Sequence, residues 1–100
     1  MRGFNKVIIA GNLVADPEIK ETNGLPRVSV AVAVNYSKKS GETRKEGVYY
    51  FDVVIFGALA ENLAKYKKKG DPILLEGSLV QQRWETPEGQ KRQKVGIVAR

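Results

Sequence analysis

The sequence predicts an all-β fold: five strands curled into a small Greek-key barrel, with one helix between the third and fourth strands. Three observations predict it. Runs rich in Val, Ile and Tyr recur along the 100 residues, separated by turn residues. Only one segment, Ala58 to Lys69, carries helical spacing of apolar residues. Glycines stand inside the apolar runs, at Gly11 and Gly77, where a barrel strand has to bend.

Taken in order, Phe4 to Val14 is a first strand around Gly11. Ala15 to Leu25 carries the turn signals Asp16-Pro17 and Asn23-Gly24 and is expected to be a connection. Arg27 to Asn35 puts Val28, Val30, Val32 and Val34 on one face of a second strand and Ser29, Ala31 and Ala33 on the other. The small residues of that second face let another layer or subunit come close. Ser37 to Gly47 is polar, centred on Ser40-Gly41, and is expected to be a mobile hairpin loop. Val48 to Phe56 is the densest run of β-formers. Alternation sets Tyr50 opposite Tyr49 and Phe51, without saying which side is core. In Ala58 to Lys69, Leu59, Leu63 and Tyr66 form a stripe, Lys67-Lys68-Lys69 occupy the last turn, Gly70 is the expected C-cap and Pro72 prevents continuation. Ile73 to Arg83 and Gln93 to Arg100 are the last two strands, joined through the turn Pro87-Glu88-Gly89. Three strands, a helix and two strands make the layout of an OB-type barrel. One domain is expected over residues 1–100.

Composition narrows the chemistry. Lys plus Arg is 17 against 11 Asp plus Glu, a formal charge of +6, and Cys and His are absent. A disulfide scaffold, a zinc ribbon, a thiol nucleophile and a His base are thereby excluded, and no cofactor or metal is expected. No apolar run approaches the ~20 residues that span a bilayer. The amino terminus runs into the first strand without a signal-like segment, so no membrane partner and a cytoplasmic location are expected. The carboxylates are scattered. Gly-x-Ser-x-Gly, a Walker loop and Gly-x-Gly-x-x-Gly do not occur, so no enzyme is expected. A binder of something anionic remains. Several of the 8 aromatics stand beside cations: Tyr36 leads into Ser37-Lys38-Lys39, and Trp84 follows Gln81-Gln82-Arg83. Rings between cations suit a single strand of nucleic acid, whose bases stack on them for about 1–3 kcal/mol each while Lys and Arg neutralise phosphates. Phe4 and Tyr66 are expected in the core, and from its own strand alone so is Phe56. Lys67-Lys68-Lys69 also fit a merely solvated helix end.

Asn5-Lys6-Val7-Ile8-Ile9-Ala10-Gly11-Asn12-Leu13 with Asp16-Pro17-Glu18, Val53-Val54-Ile55-Phe56-Gly57, Leu59-Ala60-Glu61, Tyr66, Lys69-Gly70, Glu76-Gly77-Ser78-Leu79, Arg83-Trp84 and Gly89-Gln90 follow one another over nearly the whole chain. In these landmarks it resembles the bacterial single-stranded DNA-binding protein family. The resemblance implies an OB-fold homotetramer that binds single-stranded DNA with little regard to sequence in replication, recombination and repair, in the cytoplasm with the nucleoid. It places base stacking on Tyr36, Tyr50, Phe56 and Trp84, choosing Tyr50 over its neighbours and taking Phe56 out of the core. It places backbone contacts on Arg2, Lys6, Lys39, Lys69, Arg83 and Arg92, with Lys38 and Lys68 as additions. Tyr stands at two stacking positions where the family has Trp, and Ala58 where it often has Lys. The family goes on into a flexible linker and an acidic tip that recruits replication and repair proteins. No such tip occurs up to Arg100, and a shortened chain is the expectation. A related OB module of a primosome or an RNA-binding assembly is the alternative, and an assembly module with an incidental basic face is a further one.

Overall fold

The computed structural model describes residues 1–99. Six strands and one helix follow in order: β1 Val7–Leu13, β2 Ile19–Thr22, β3 Leu25–Ser40, β4 Thr43–Phe56, α1 Ala58–Tyr66, β5 Pro72–Glu85 and β6 Lys91–Ala99. They form one sheet in the order β1-β5-β6-β4-β3-β2, and a further β1–β3 pairing closes five of them into a barrel. All pairings are antiparallel except β4 with β6, which run parallel from Val53↔Ile97 to Ile55↔Ala99. The helix sits between β4 and β5, as expected.

The two interior glycines stand where strands change partners. Gly77 faces Val7 on β1 and Ala99 on β6, and a Cβ there would collide with the Val98 carbonyl. Gly11 sits beside Asn12, which pairs both Pro72 on β5 and Ala33 on β3, and a Cβ at Gly11 would strike the Ala33 carbonyl. Only a residue without a side chain lets the backbones approach this closely at the corners.

Alternation fills the interior. Val28, Val30 and Val32 of β3, Val53 and Ile55 of β4, Leu75 of β5 and Ile97 of β6 are buried together with Leu13, Ala60 and Leu63. Phe51 packs against this cluster, so the odd-numbered side of β4 is core and Tyr50, Asp52, Val54 and Phe56 face outward.

Four expectations need correction. The segment Ala15 to Leu25 contains a short strand, β2, paired from Ile19↔Val28 to Thr22↔Leu25. The expected loop Ser37 to Gly47 is mostly ladder: β3 and β4 stay paired out to Ser40↔Thr43, leaving only Gly41-Glu42 as the turn. Polar side chains suit a solvated two-stranded arm as well as a loop, and the backbone hydrogen bonds decide. The helix stops at Tyr66, where Lys67 turns extended, so Lys68 and Lys69 lie in the following turn and Gly70 is no C-cap. Its buried side is Ala60 and Leu63; Tyr66 is 69% exposed and Phe4 91% exposed, so neither is core.

The two hairpins run past the barrel as arms. They give a radius of gyration of 16.1 Å, against about 13 Å for a compact chain of this length.

Candidate nucleic-acid interface

In an antiparallel ladder, directly paired residues point to the same side. The outward side of β4 therefore continues onto β3 through Tyr50↔Ala33, Asp52↔Ala31, Val54↔Ser29 and Phe56↔Arg27. On the other hairpin, Val80↔Gly96, Gln82↔Lys94 and Trp84↔Arg92 make the corresponding outward rows. The two surfaces meet where Lys94 Nζ lies 2.9 Å from Asp52 Oδ2. Three of the four expected stacking rings thus share one outer surface: Tyr50, 66% exposed, Trp84, 49%, and Phe56, 38%. Cations stand on the same surface. Arg27 is paired with Phe56, Arg92 with Trp84, and Lys94 reaches across to the strand of Tyr50.

Tyr36 is placed differently. It pairs with Gly47, on the side of the ribbon that continues into the core, and its ring lies where a Gly47 side chain would be. The ring stacks on Tyr49 at 4.2 Å between centroids with planes 21° apart, and Tyr49 leads on to Phe51. Lys38 lies 5.7 Å from the centre of the Tyr36 ring. One ring face of this half-buried side chain is therefore taken by protein.

The expected cations also divide. Arg92 shares the side of Trp84, whereas Arg83 falls on the opposite side of the ladder and donates from Nη2 to Gln81 Oε1 at 2.9 Å. Arg92 likewise donates to Gln90 Oε1 at 2.8 Å, which orients it. Lys6 is paired with Glu76 across β1 and β5. Arg2 lies in the exposed segment before β1. Lys68 and Lys69 sit in a turn fixed by its backbone: the Lys69 N–H donates to Asp16 Oδ1 at 2.7 Å and the Lys68 N–H to Asp71 Oδ2 at 3.0 Å. Their side chains make no ion pair among the described residues. Lys38 and Lys39 lie near the tip of the β3–β4 arm, directly opposite Lys45 and Arg44.

Arg44, Lys45, Arg27 and Lys94 are cations that reading the sequence missed. The first two were hidden by taking the arm for a loop. The signal is the mirror symmetry of the charges about Gly41-Glu42, Lys38 with Lys45 and Lys39 with Arg44, which a continued hairpin explains. Among the described residues no cluster of Asp and Glu suits a metal ion, and no helix is long and apolar enough to cross a membrane.

Comparison with known proteins bears on the family and the fold. The model of the single-strand binding protein family matches residues 4–100. A single-stranded DNA-binding protein of Thermotoga maritima is 40% identical over 99% of this chain and 72% of its own length. One from Treponema pallidum is 41% identical over 99% of this chain, which spans 56% of that relative. Single-stranded DNA-binding protein 1 of Xylella fastidiosa is 39% identical, over 100% of this chain and 76% of its own. Among solved structures, a chain of a Plasmodium falciparum SSB complex with ssDNA superposes with a TM-score of 0.87 at 24% identity, covering 98% of this chain and 88% of that one, which fixes the barrel as the same fold.

Proposed function

Because the chain belongs to the single-strand binding protein family, we propose that it binds single-stranded DNA along the outer surface carrying Tyr50, Phe56 and Trp84. The observation that carries the reading is the placement of three exposed rings on one surface, two of them paired across the ladder with Arg27 and Arg92. Bases taken out of a stack lose apolar contact with their neighbours, and a ring restores it whatever the base; the flanking guanidinium and ammonium groups draw in the phosphates. Both halves are indifferent to sequence, and neither requires catalysis, a metal or a cofactor. Arg92, Lys38 and Lys39 serve the phosphates, joined by Arg27, Arg44 and Lys45; Lys68 and Lys69 offer free ammonium groups on the turn after α1. Tyr36 acts chiefly by stiffening the β3–β4 arm through Tyr49.

Roles in replication, recombination and repair follow in this reading from covering single strands, with the protein in the cytoplasm beside the nucleoid. A homotetramer is part of it. Ile8 and Leu74 are exposed on neighbouring strands, and among the described residues β1 has no ladder partner along its other edge before Asn12, so a second copy finds both apolar surface and free backbone there. Recruitment of replication and repair proteins through an acidic segment belongs to the same reading.

The test is a titration of Trp84 fluorescence with oligo-dT at low and high salt, with duplex DNA and a matched RNA strand alongside. Quenching by the single DNA strand, relieved by salt and absent with duplex, is expected. An unquenched Trp84 in a folded protein would remove the ring from the site.

A further inference from the structure

The outer surface is not uniform. Between Phe56 and the Lys94–Asp52 pair lies a groove of about 460 Å³, large enough for a nucleobase. Apolar Val54 and Val98 and the bare backbone of Gly96 line it together with Arg27, Gln82 and a second carboxylate, Asp16. A Cβ at Gly96 would meet only the Asp52 carbonyl, at an ordinary 3.8 Å, so packing does not demand glycine there; the missing side chain leaves the groove open. The presence of Asp52 is itself unexpected. A carboxylate in the row between Tyr50 and Phe56 repels phosphates, and more than half of its side-chain surface is exposed even though Lys94 is beside it. A carboxylate is an acceptor only, and an ammonium a donor only.

We propose that this groove takes the Watson–Crick edge of a guanine, with Asp52 and Lys94 as its readers, and this rests on the single-strand reading above. Guanine alone among the four bases presents two adjacent N–H groups, at N1 and N2, next to a carbonyl at O6. The N–H groups match the two carboxylate oxygens of Asp52, and O6 matches the ammonium of Lys94 at 2.9 Å from it. Thymine offers one N–H between two carbonyls that a carboxylate repels. Adenine and cytosine offer one amino group beside a bare ring nitrogen. The base would rest on Val54 and Gly96, with Phe56 as the neighbouring wall. The protein thus tolerates any sequence while holding one position in the bound strand preferentially with guanine.

The experiment compares (dT)15 with the same strand carrying one central guanine, and with inosine at that position, which keeps N1–H and O6 but lacks the N2 amino group. The guanine strand is expected to bind at least about fivefold more tightly than (dT)15, and inosine to lose most of that gain. Asp52→Asn, its folding checked by thermal melting, should bind (dT)15 more tightly, since a negative charge is removed, yet lose the guanine preference. Equal binding of all three strands, or a preference that survives in Asp52→Asn, overturns the groove assignment alone. Failure of every strand to bind overturns the single-strand reading and the groove with it.

Discussion

Among single residues, Trp84 and Tyr36 make the sharpest contrast, because two aromatic side chains with the same expected role sit in opposite circumstances. Trp84 is half-exposed on a solvated ladder, so Trp84→Ala should cost about 1–3 kcal/mol of oligonucleotide affinity and leave the melting temperature nearly unchanged. Tyr36 is stacked on Tyr49, so Tyr36→Ala should cost about 0.5–1.5 kcal/mol of stability and less affinity than the loss of Trp84. Parallel melting and titration of the two variants checks both. The opposite pattern would make Trp84 structural and Tyr36 the contact. Legibility differed in the same way. The exposure of Trp84 is readable from its polar neighbourhood alone, since Gln81, Gln82, Arg83 and Glu85 offer a large ring little apolar surface to pack against. Tyr50 needed the resemblance, because alternation gives two faces and no sign. The register showed that Tyr36 and Arg83 point away from Tyr50 and Arg92, and register across a ladder is not written in either strand by itself.

At the scale of elements, the β3–β4 arm shows what sequence patterning does and does not reveal. The barrel half of β3 was legible from its Val/Ala alternation, because burial enforces a period of two. The outer half buries little, so nothing enforces a pattern, and its charged residues fit a loop as well as a strand. The helix is legible from its spacing, but its length is not: Lys67, Lys68 and Lys69 continue it in sequence, yet they bring no apolar side chain to the core and the backbone turns extended at Lys67. The arm places Lys38 opposite Lys45 and Lys39 opposite Arg44, like charges that oppose pairing by up to about 1 kcal/mol each. A polyanion laid on the tip would remove that repulsion. Lys45→Glu should therefore stabilise the free protein slightly while weakening oligonucleotide binding. Thermal melting and titration of this one variant should move in opposite directions; a joint loss would show that the tip is held by something other than charge.

For the molecule as a whole, the net charge of +6 on a shape drawn out to 53 × 40 × 35 Å sets the salt response. The slope of log affinity against log salt should be about −0.7 for each phosphate neutralised. Replacing Arg92 by Ala should make it shallower by about that amount, read from titrations at three or more salt concentrations; an unchanged slope would remove Arg92 from the phosphate path. The closure of the barrel also has a consequence in time. β1 pairs with β5 from Val7↔Gly77 onward, whereas β3 offers it only Asn12↔Ala33 and Leu13↔Val32. A chain emerging from the ribosome at about 5–20 residues per second carries β1 unpaired for several seconds before its main partner exists. The β3–β4 hairpin, closed by a two-residue turn, can form long before that. The first strand to be made is thus among the last to be housed, and until then its Val-Ile-Ile edge is open to the nascent chain of a neighbouring ribosome.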